Sequence, residues 1–436
     1  MRSEPAPRLL LPLTQRNFKL YYGASVLSMV GSQLTLIAFP WFVLKVTGDP
    51  AAMGLVLAVE GIPRAAFMIF GGAFTDRFSP RTVLALSSVS RAGVMLALGA
   101  LTLSGFVSTP LIFVAALAFG ILDAFAFPAS SAFLPRLLET SQLPAGNALV
   151  QGVGQLSTMV GPAAAGFIIA WFSVGDPRGG ADTADLPGIA VVFIVVGLGF
   201  ALAVGLLMFV AAGGRDGPMS AFSATQMLRE VGEGFSAMWR DLPVRIITLV
   251  FTVFTLFWRG PYIIGVPVLC EARFEEGALA FGFFGSAMGL GALFGTIVGG
   301  SLRHPRERWF GALVLVDTAV LGVSFLVYAH ASSLAPALGV TVLAGLLDGY
   351  MVVLLISWLQ VRVPTKLLGR VMSMIMFFNS GLAPVSAAAA GVLISLSLTG
   401  MFLGAGSILV VLSLVGLAIP VVRSLGIRPE GEHAGD

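Results

Sequence analysis

Gly120-Ile121-Leu122-Asp123-Ala124-Phe125 is met again further along as Gly345-Leu346-Leu347-Asp348-Gly349-Tyr350. Each copy sits inside a long apolar run, 110–133 in one case and 334–358 in the other, and each sets one carboxylate near the middle of its run. The match has company. Gly54, Gly71 and Gly72 in the run at 52–74 are echoed by Gly282, Gly299 and Gly300 in the run at 278–301, and Pro40 by Pro267. All these offsets are about 225–228 residues, close to half of the 436-residue chain. A glycine-rich sequence supplies one such coincidence by chance, but not several at a common offset. The chain therefore reads as two copies of one unit.

Each unit holds six apolar runs. They lie near 20–43, 52–74, 82–103, 110–133, 144–172 and 188–212, then near 244–268, 278–301, 309–329, 334–358, 368–394 and 399–422. A bilayer span needs roughly 20 mostly apolar residues, and its backbone polar groups must be satisfied within the segment, so the runs are expected to be helices. Composition agrees. Hydrophobic residues make up 57% of the chain and charged residues 11%, against about 25% charged in a soluble domain. The 53 glycines and 24 prolines suit membrane helices that pack closely and bend. The fold class is an all-α membrane protein of twelve transmembrane helices in two pseudo-symmetric six-helix bundles.

Charge sets the topology. Lys45–Pro50, Leu103–Pro110, Gly175–Pro187 and Cys270–Gly277 are small or acidic connections. The arginines fall on the other side, at Arg77, Arg81, Arg136, Arg215 to Arg245, Arg303 to Arg308 and Arg362 to Arg370, joined by Arg16, Lys19, Arg423 and Arg428 at the ends. The positive-inside rule then puts both termini in the cytoplasm, which requires an even number of spans. The expected location is the cell inner (cytoplasmic) membrane, multi-pass, with an uncleaved first helix. Domain boundaries follow at 1–212 for the first bundle, 213–243 for a cytoplasmic linker, and 244–436 for the second bundle and its tail. In the linker Met227, Leu228, Val231, Phe235, Met238 and Trp239 recur at helical spacing, the pattern of an amphipathic helix.

Several function classes are disfavoured. The three histidines, His304, His330 and His433, fall in loops or tails, and a single cysteine, Cys270, makes no disulfide framework. Lys19, Lys45 and Lys366 do not follow the glycine of a phosphate-binding loop. No enzyme, resident metal, cofactor or nucleic-acid partner is expected. Parallel six-helix repeats are a plan of secondary transporters, with the substrate held near the midplane between the repeats. Such a protein takes its energy from an ion gradient, the substrate gradient or a separate partner.

The segment Gly71-Gly72-Ala73-Phe74-Thr75-Asp76-Arg77-Phe78-Ser79-Pro80-Arg81 resembles the loop motif between spans two and three of the major facilitator superfamily. Gly72, Asp76, Arg77 and Arg81 match the pattern; Ser79 stands where glycine is expected and Pro80 replaces one basic residue. In the fifth run Gly154, then Gly161-Pro162-Ala163-Ala164-Ala165-Gly166, looks like the Gly-Pro motif of the superfamily's antiporter branch. Gln33 to Pro40, Phe127 to Ala132 and Leu359 to Ser373 resemble macrolide and siderophore exporters of that branch. The resemblance implies a drug:proton antiporter in which Asp76, Arg77 and Arg81 form an inner gate. The physics is independent of the family: glycines let helices approach closely, and an acid at a following helix start meets that helix's positive end.

A charge within hydrocarbon needs a partner or a wet cavity. Glu60 and Arg64 are four residues apart and lie on one helix face. Asp123 and Asp348 occupy equivalent runs; either can exchange a proton or bind an arginine such as Arg77 or Arg370. Arg259 interrupts the seventh run and can meet an anionic substrate group or a carboxylate. Arg91 and Asp317 are expected to be structurally paired. The expectation is thus a substrate and proton cavity holding Glu60, Arg64, Asp123, Arg259 and Asp348. Its partners are a lipophilic or amphiphilic small molecule, a proton as coupling ion and the lipid bilayer, and the working unit is a monomer. A lipid or lysolipid flippase on the same fold, or a non-transporting sensor, remains open.

Overall fold

The structure, a computed structural model, describes residues 10–77, 79–173, 184–210, 236, 239, 242–301, 309–363 and 365–419, with only the backbone described at 68–77, 127–128, 361 and 365–380. Among the described residues all regular structure is helical. The long helices are α1 (Arg16–Thr47), α2 (Pro50–Arg77), α3 (Pro80–Leu103), α4 (Thr109–Leu137), α5 (Leu143–Phe172), α6 (Leu186–Met208), α7 (Leu242–Arg273), α8 (Ala278–Ser301), α9 (Phe310–His330), α10 (Leu334–Arg362), α11 (Thr365–Leu396) and α12 (Leu398–Ala418). Eleven are long and apolar enough to cross a membrane. The remaining one, α11, has 32 residues and carries a shorter described apolar stretch, Gly381–Leu396. The twelve runs of the sequence are thus twelve helices. The linker helix expected at 213–243 and the C-terminal tail lie almost wholly outside the described residues.

Local chemistry explains the helix ends. Pro80, Pro110, Pro144 and Pro187 sit in the first two positions of α3, α4, α5 and α6, where a missing N–H costs nothing and φ is already helical. Gly48 ends α1 at φ +62°, its N–H bonded to the Leu44 carbonyl at 2.8 Å, the left-handed cap that glycine adopts without strain. Gly277, at φ +50°, is the turn residue just before α8, and its carbonyl accepts from the Phe281 N–H at 3.2 Å. Large apolar side chains such as Val114, Trp171 and Leu396 stay more than 60% exposed, as expected where lipid rather than water surrounds the protein.

The helices gather into two compact units, one of Met1–Phe222 with Glu275–Ser286, the other of Ser223–Phe274 with Ala287–Asp436. In the first, α1 packs on α5 and α6, α2 on α4, and α3 on α6. In the second, α7 packs on α11 and α9 on α12, and α8 on α10 through Gly291, Gly295, Gly345 and Gly349. These are the same pairings one repeat later. Close approaches repeat too: a Cβ on Gly120 would lie 2.0 Å from the Glu60 carbonyl oxygen, and one on Gly345 would lie 2.4 Å from that of Met288. Bare glycine surfaces let these backbones touch, which is how membrane helices gain van der Waals energy without a hydrophobic drive.

The helix α7 departs from regularity. It opens into a π turn at Pro261–Gly265. Just before it, Ser386 of α11 inserts its hydroxyl into the helix ladder. The Gly260 N–H donates to Ser386 Oγ at 2.7 Å, and Ser386 Oγ donates to the Leu256 carbonyl at 2.5 Å. An inserted side chain is a recognised cause of such a break. Ser386→Ala leaves a buried N–H and a carbonyl to find new partners. The expected loss is about 1–3 kcal/mol, read as a lower melting midpoint in detergent; an unchanged midpoint would show that the helix simply recloses.

Candidate functional site

Polar chemistry inside the first unit centres on Asp123 of α4. Its Oδ1 accepts from Arg91 of α3 at 3.1 Å, and its Oδ2 lies 3.5 Å from Arg64 of α2. Arg64 in turn lies 3.5 Å from Glu60, one turn earlier on the same helix. Two carboxylates and two guanidiniums thus form one chain across α2, α3 and α4. Arg91 is buried and lies over the face of Phe200 of α6, 4.4 Å from the ring centroid, a placement the ring quadrupole favours. Ser87 ties α3 to α4, donating to the Leu122 carbonyl at 2.8 Å. The sequence reading paired Glu60 with Arg64, as observed. For Asp123 it offered Arg77 or Arg370, whose side chains lie outside the described residues; the partners seen are Arg64 and Arg91.

Asp123 and Arg91 form one wall of a cavity of about 430 Å³ within this unit. Opposite them α1 contributes Ser25, Ser28, Met29, Ser32 and Gln33, and α5 contributes Gln151, Gly154, Gln155 and Thr158. Gln33 donates to Thr158 at 3.3 Å, while its Oε1 is buried without a hydrogen-bond partner. Apart from Gln33, quoted at the head of an exporter-like stretch, these serines and glutamines are not singled out by the sequence. Their signal was nevertheless present: Ser25, Ser28 and Ser32, and Gln151, Gln155 and Thr158, recur every three or four residues in apolar helices, so each set shares one face.

The expected motifs fall in two places. In the inner-gate motif, the backbone of α2 runs through Gly72 and Asp76 to Arg77, but those side chains lie outside the described residues. Arg81 donates from Nε to the Leu207 carbonyl at 2.9 Å and from Nη2 to that of Met208 at 2.5 Å. It therefore caps the C-terminus of α6, where the helix dipole is negative, within its own unit. The Gly-Pro motif serves packing. A Cβ on Gly161 would lie 2.6 Å from that of Gln33, and one on Gly166 would lie 2.6 Å from the Ala278 carbonyl oxygen at the start of α8. Beside Pro162, the Ala163 N–H donates to Ser286 at 2.9 Å. Gly154 faces the cavity, with Met29 sulfur 3.8 Å from a Cβ placed there.

In the second unit Asp348 of α10 lines a far smaller cavity, about 20 Å³, together with Asp317 and Thr318 of α9 and Val250, Phe251, Phe254, Val314, Met351 and Val352. Arg259 of α7 acts on Asp348 electrostatically. Asp317 was expected to be structurally paired; among the described residues no ion pair to it is seen. Its charged neighbour is Asp348, and its Oδ1 is buried with no hydrogen-bond partner. Along α7 the rings of Phe254, Trp258 and Tyr262 stack at centroid distances of 5.4 and 5.0 Å. Among the described residues no group of three or more His, Cys, Asp or Glu is arranged to hold a metal ion.

Twelve long helices in paired repeats, eleven of them apolar enough to cross a membrane, define a multi-pass membrane protein. The Major Facilitator Superfamily model matches residues 21–388, and the chain belongs to that family. Among curated proteins it is 24% identical over 411 residues to "Multidrug efflux pump Tap" of Mycolicibacterium fortuitum, covering 93% of this chain and 96% of that one. It is also 24% identical over 400 residues to "Uncharacterized MFS-type transporter y4rN" of Sinorhizobium fredii, covering 91% and 93%. Among solved structures, a POT family transporter in complex with 5-aminolevulinic acid superposes with a TM-score of 0.67 at 15% identity over 94% of this chain and 97% of that one. The nucleoside transporter NupG does so at 0.68 and 13%, covering 92% and 98%. At these identities the structures speak for the fold alone.

Proposed function

We propose that the chain exports amphiphilic small molecules across the cell inner membrane by alternating access, in exchange for protons. The observation that carries this reading is the 430 Å³ cavity of the first unit. Its size falls in the range of small-molecule sites, about 300–1,000 Å³. Its lining mixes Met29 and Leu84 with serines, glutamines and the Arg91–Asp123 pair. Such a wall takes an apolar body and satisfies the polar end of an amphiphile. The efflux-pump relatives support export over uptake. In this account the two six-helix halves, 1–212 and 244–436, rock about the substrate, both termini face the cytoplasm and one chain suffices.

The cavity is tested by filling it. Ser28→Trp places an indole among the lining residues, whereas Gly152→Trp lies on an exposed part of α5 with open space around it. Dye retention in cells expressing the S28W variant is expected to match that of cells without the transporter, a loss of about tenfold or more in export. G152W is expected to export normally. Unimpaired export by a well-expressed S28W variant would remove the cavity from the path.

A further inference from the structure

Laid over one another, the two repeats differ at one charged layer. The acid on the fourth helix is kept, as Asp123 in the first repeat and Asp348 in the second. Both of its arginine partners are not. Arg91, on the third helix of the first repeat, corresponds to Asp317 on the third helix of the second, about 226 residues on. Arg64 corresponds to Ala292, and Glu60 to Met288, the register fixed by the glycine contacts of Gly120 with Glu60 and of Gly345 with Met288. Where the first unit holds a closed ion-pair chain, the second holds two neighbouring carboxylates.

Among the described residues the charges do not balance without a further cation. Arg259 acts on Asp348, which leaves the second carboxylate to be neutralised. The other charged groups of the helices packed around the pair lie toward helix ends. They are Arg245, Glu271 and Arg273 on α7, His330 on α9 and Arg362 on α10; Lys366 and Arg370 of α11 have side chains outside the described residues. The remaining titratable groups, Tyr262 and Cys270 on α7, Tyr328 on α9 and Tyr350 on α10, are neutral or anionic and cannot balance a carboxylate. Arg273 is engaged with the carbonyls of Tyr328 and Ala329 and with Thr399. An uncompensated charge in a pocket of Val250, Phe251, Phe254 and Met351 is costly. Asp317, whose Oδ1 has no hydrogen-bond partner, lines a cavity of about 20 Å³, room for about one water. A proton is the cation that fits without displacing anything.

We propose that Asp317 and Asp348 form the coupling-ion site of this transporter and hold one proton between them. The proton is taken up from the outer face after substrate leaves and given up to the cytoplasm before substrate is next expelled. One proton enters for each substrate expelled, and nothing is oxidised or reduced. The assignment rests on the exporter reading above and places the proton on the second repeat, while Asp123 stays ion-paired in the first.

The test uses three full-length proteins in liposomes: wild type, Asp317→Asn, which mimics the protonated acid, and Asp317→Arg, which rebuilds the first repeat's ion pair. Each is assayed for pH-driven dye transport, for dye exchange at equal pH, and for proton release when dye is added in weak buffer. Wild type is expected to release protons. Both variants are expected to release none and to lose pH-driven transport by about tenfold or more, while exchange persists. Exchange and a normal melting midpoint certify that the variants are folded. Variants that still couple to pH as wild type does would overturn the site and leave the antiport reading standing. A wild type driven by sodium and not by pH would overturn the proton at this site. A wild type that exchanges dye without responding to either gradient would overturn the antiport reading and the coupling role together.

Discussion

Arg91→Met is expected to cost the first unit about 3 kcal/mol, the low end of the penalty for breaking a buried ion pair from one side, because Asp123 is 29% exposed and keeps a second guanidinium. Asp123 would keep only Arg64, which is partly exposed and 3.5 Å away, in place of the 3.1 Å bond from a buried guanidinium. The Phe200 face would lose its cation as well. The melting midpoint and the folded yield in detergent both report this. Because the harm comes from a carboxylate left under-compensated and not from the lost attraction, Arg91→Met combined with Asp123→Leu is expected to recover most of the stability. Transport is expected to stay low in the double variant, because both residues line the cavity. If the single substitution melts like wild type, Asp123 does not depend on Arg91, and the charge chain across α2, α3 and α4 is not the structural unit described.

Gly120→Val and Gly345→Val form the second pair of large effects. Each places branched carbons against backbone, the Glu60 carbonyl oxygen in one repeat and that of Met288 in the other. Backbone in a packed helix yields less readily than the end of a side chain, so α2 and α4, or α8 and α10, must separate. The expected cost is about 3 kcal/mol for each, at the upper end of overpacking penalties. The two should be alike because the crossings are copies. Gly152→Val is the matched control, having open space around it. A large loss in one repeat with none in the other would mean that the glycine match between Gly120 and Gly345 does not reflect a common crossing.

The helices were legible because bilayer helices obey a simple rule: a long apolar run must be helical, whatever lies beside it. The repeat was legible because crossings that need glycine keep it at a fixed offset, as Gly120 and Gly345 do. The Glu60–Arg64 pair was legible from its spacing. The partner of Asp123 was harder, since Arg64 and Arg91 come from other helices and only packing decides which cation arrives. The serine and glutamine stripes of α1 and α5 were visible but unremarkable one residue at a time; they become a wall only when α1 and α5 are set side by side. Asp317 was assigned to a structural pair on the assumption that an intramembrane acid finds a base. Aligning the repeats charge by charge, and not by their glycines alone, would have set it opposite Arg91.

The central claim, proton-driven export of amphiphiles, is tested most directly with the purified chain in liposomes whose lumen is acidic. The dye must lack titratable groups, so that it cannot follow the gradient by its own protonation. Protons leaving the lumen are then expected to drive dye into it above the outside concentration, and collapse of the pH gradient should release it. Dye that never rises above equilibrium, while a fluorescent lipid in the same vesicles crosses between leaflets, would contradict the account and make the chain a lipid transporter.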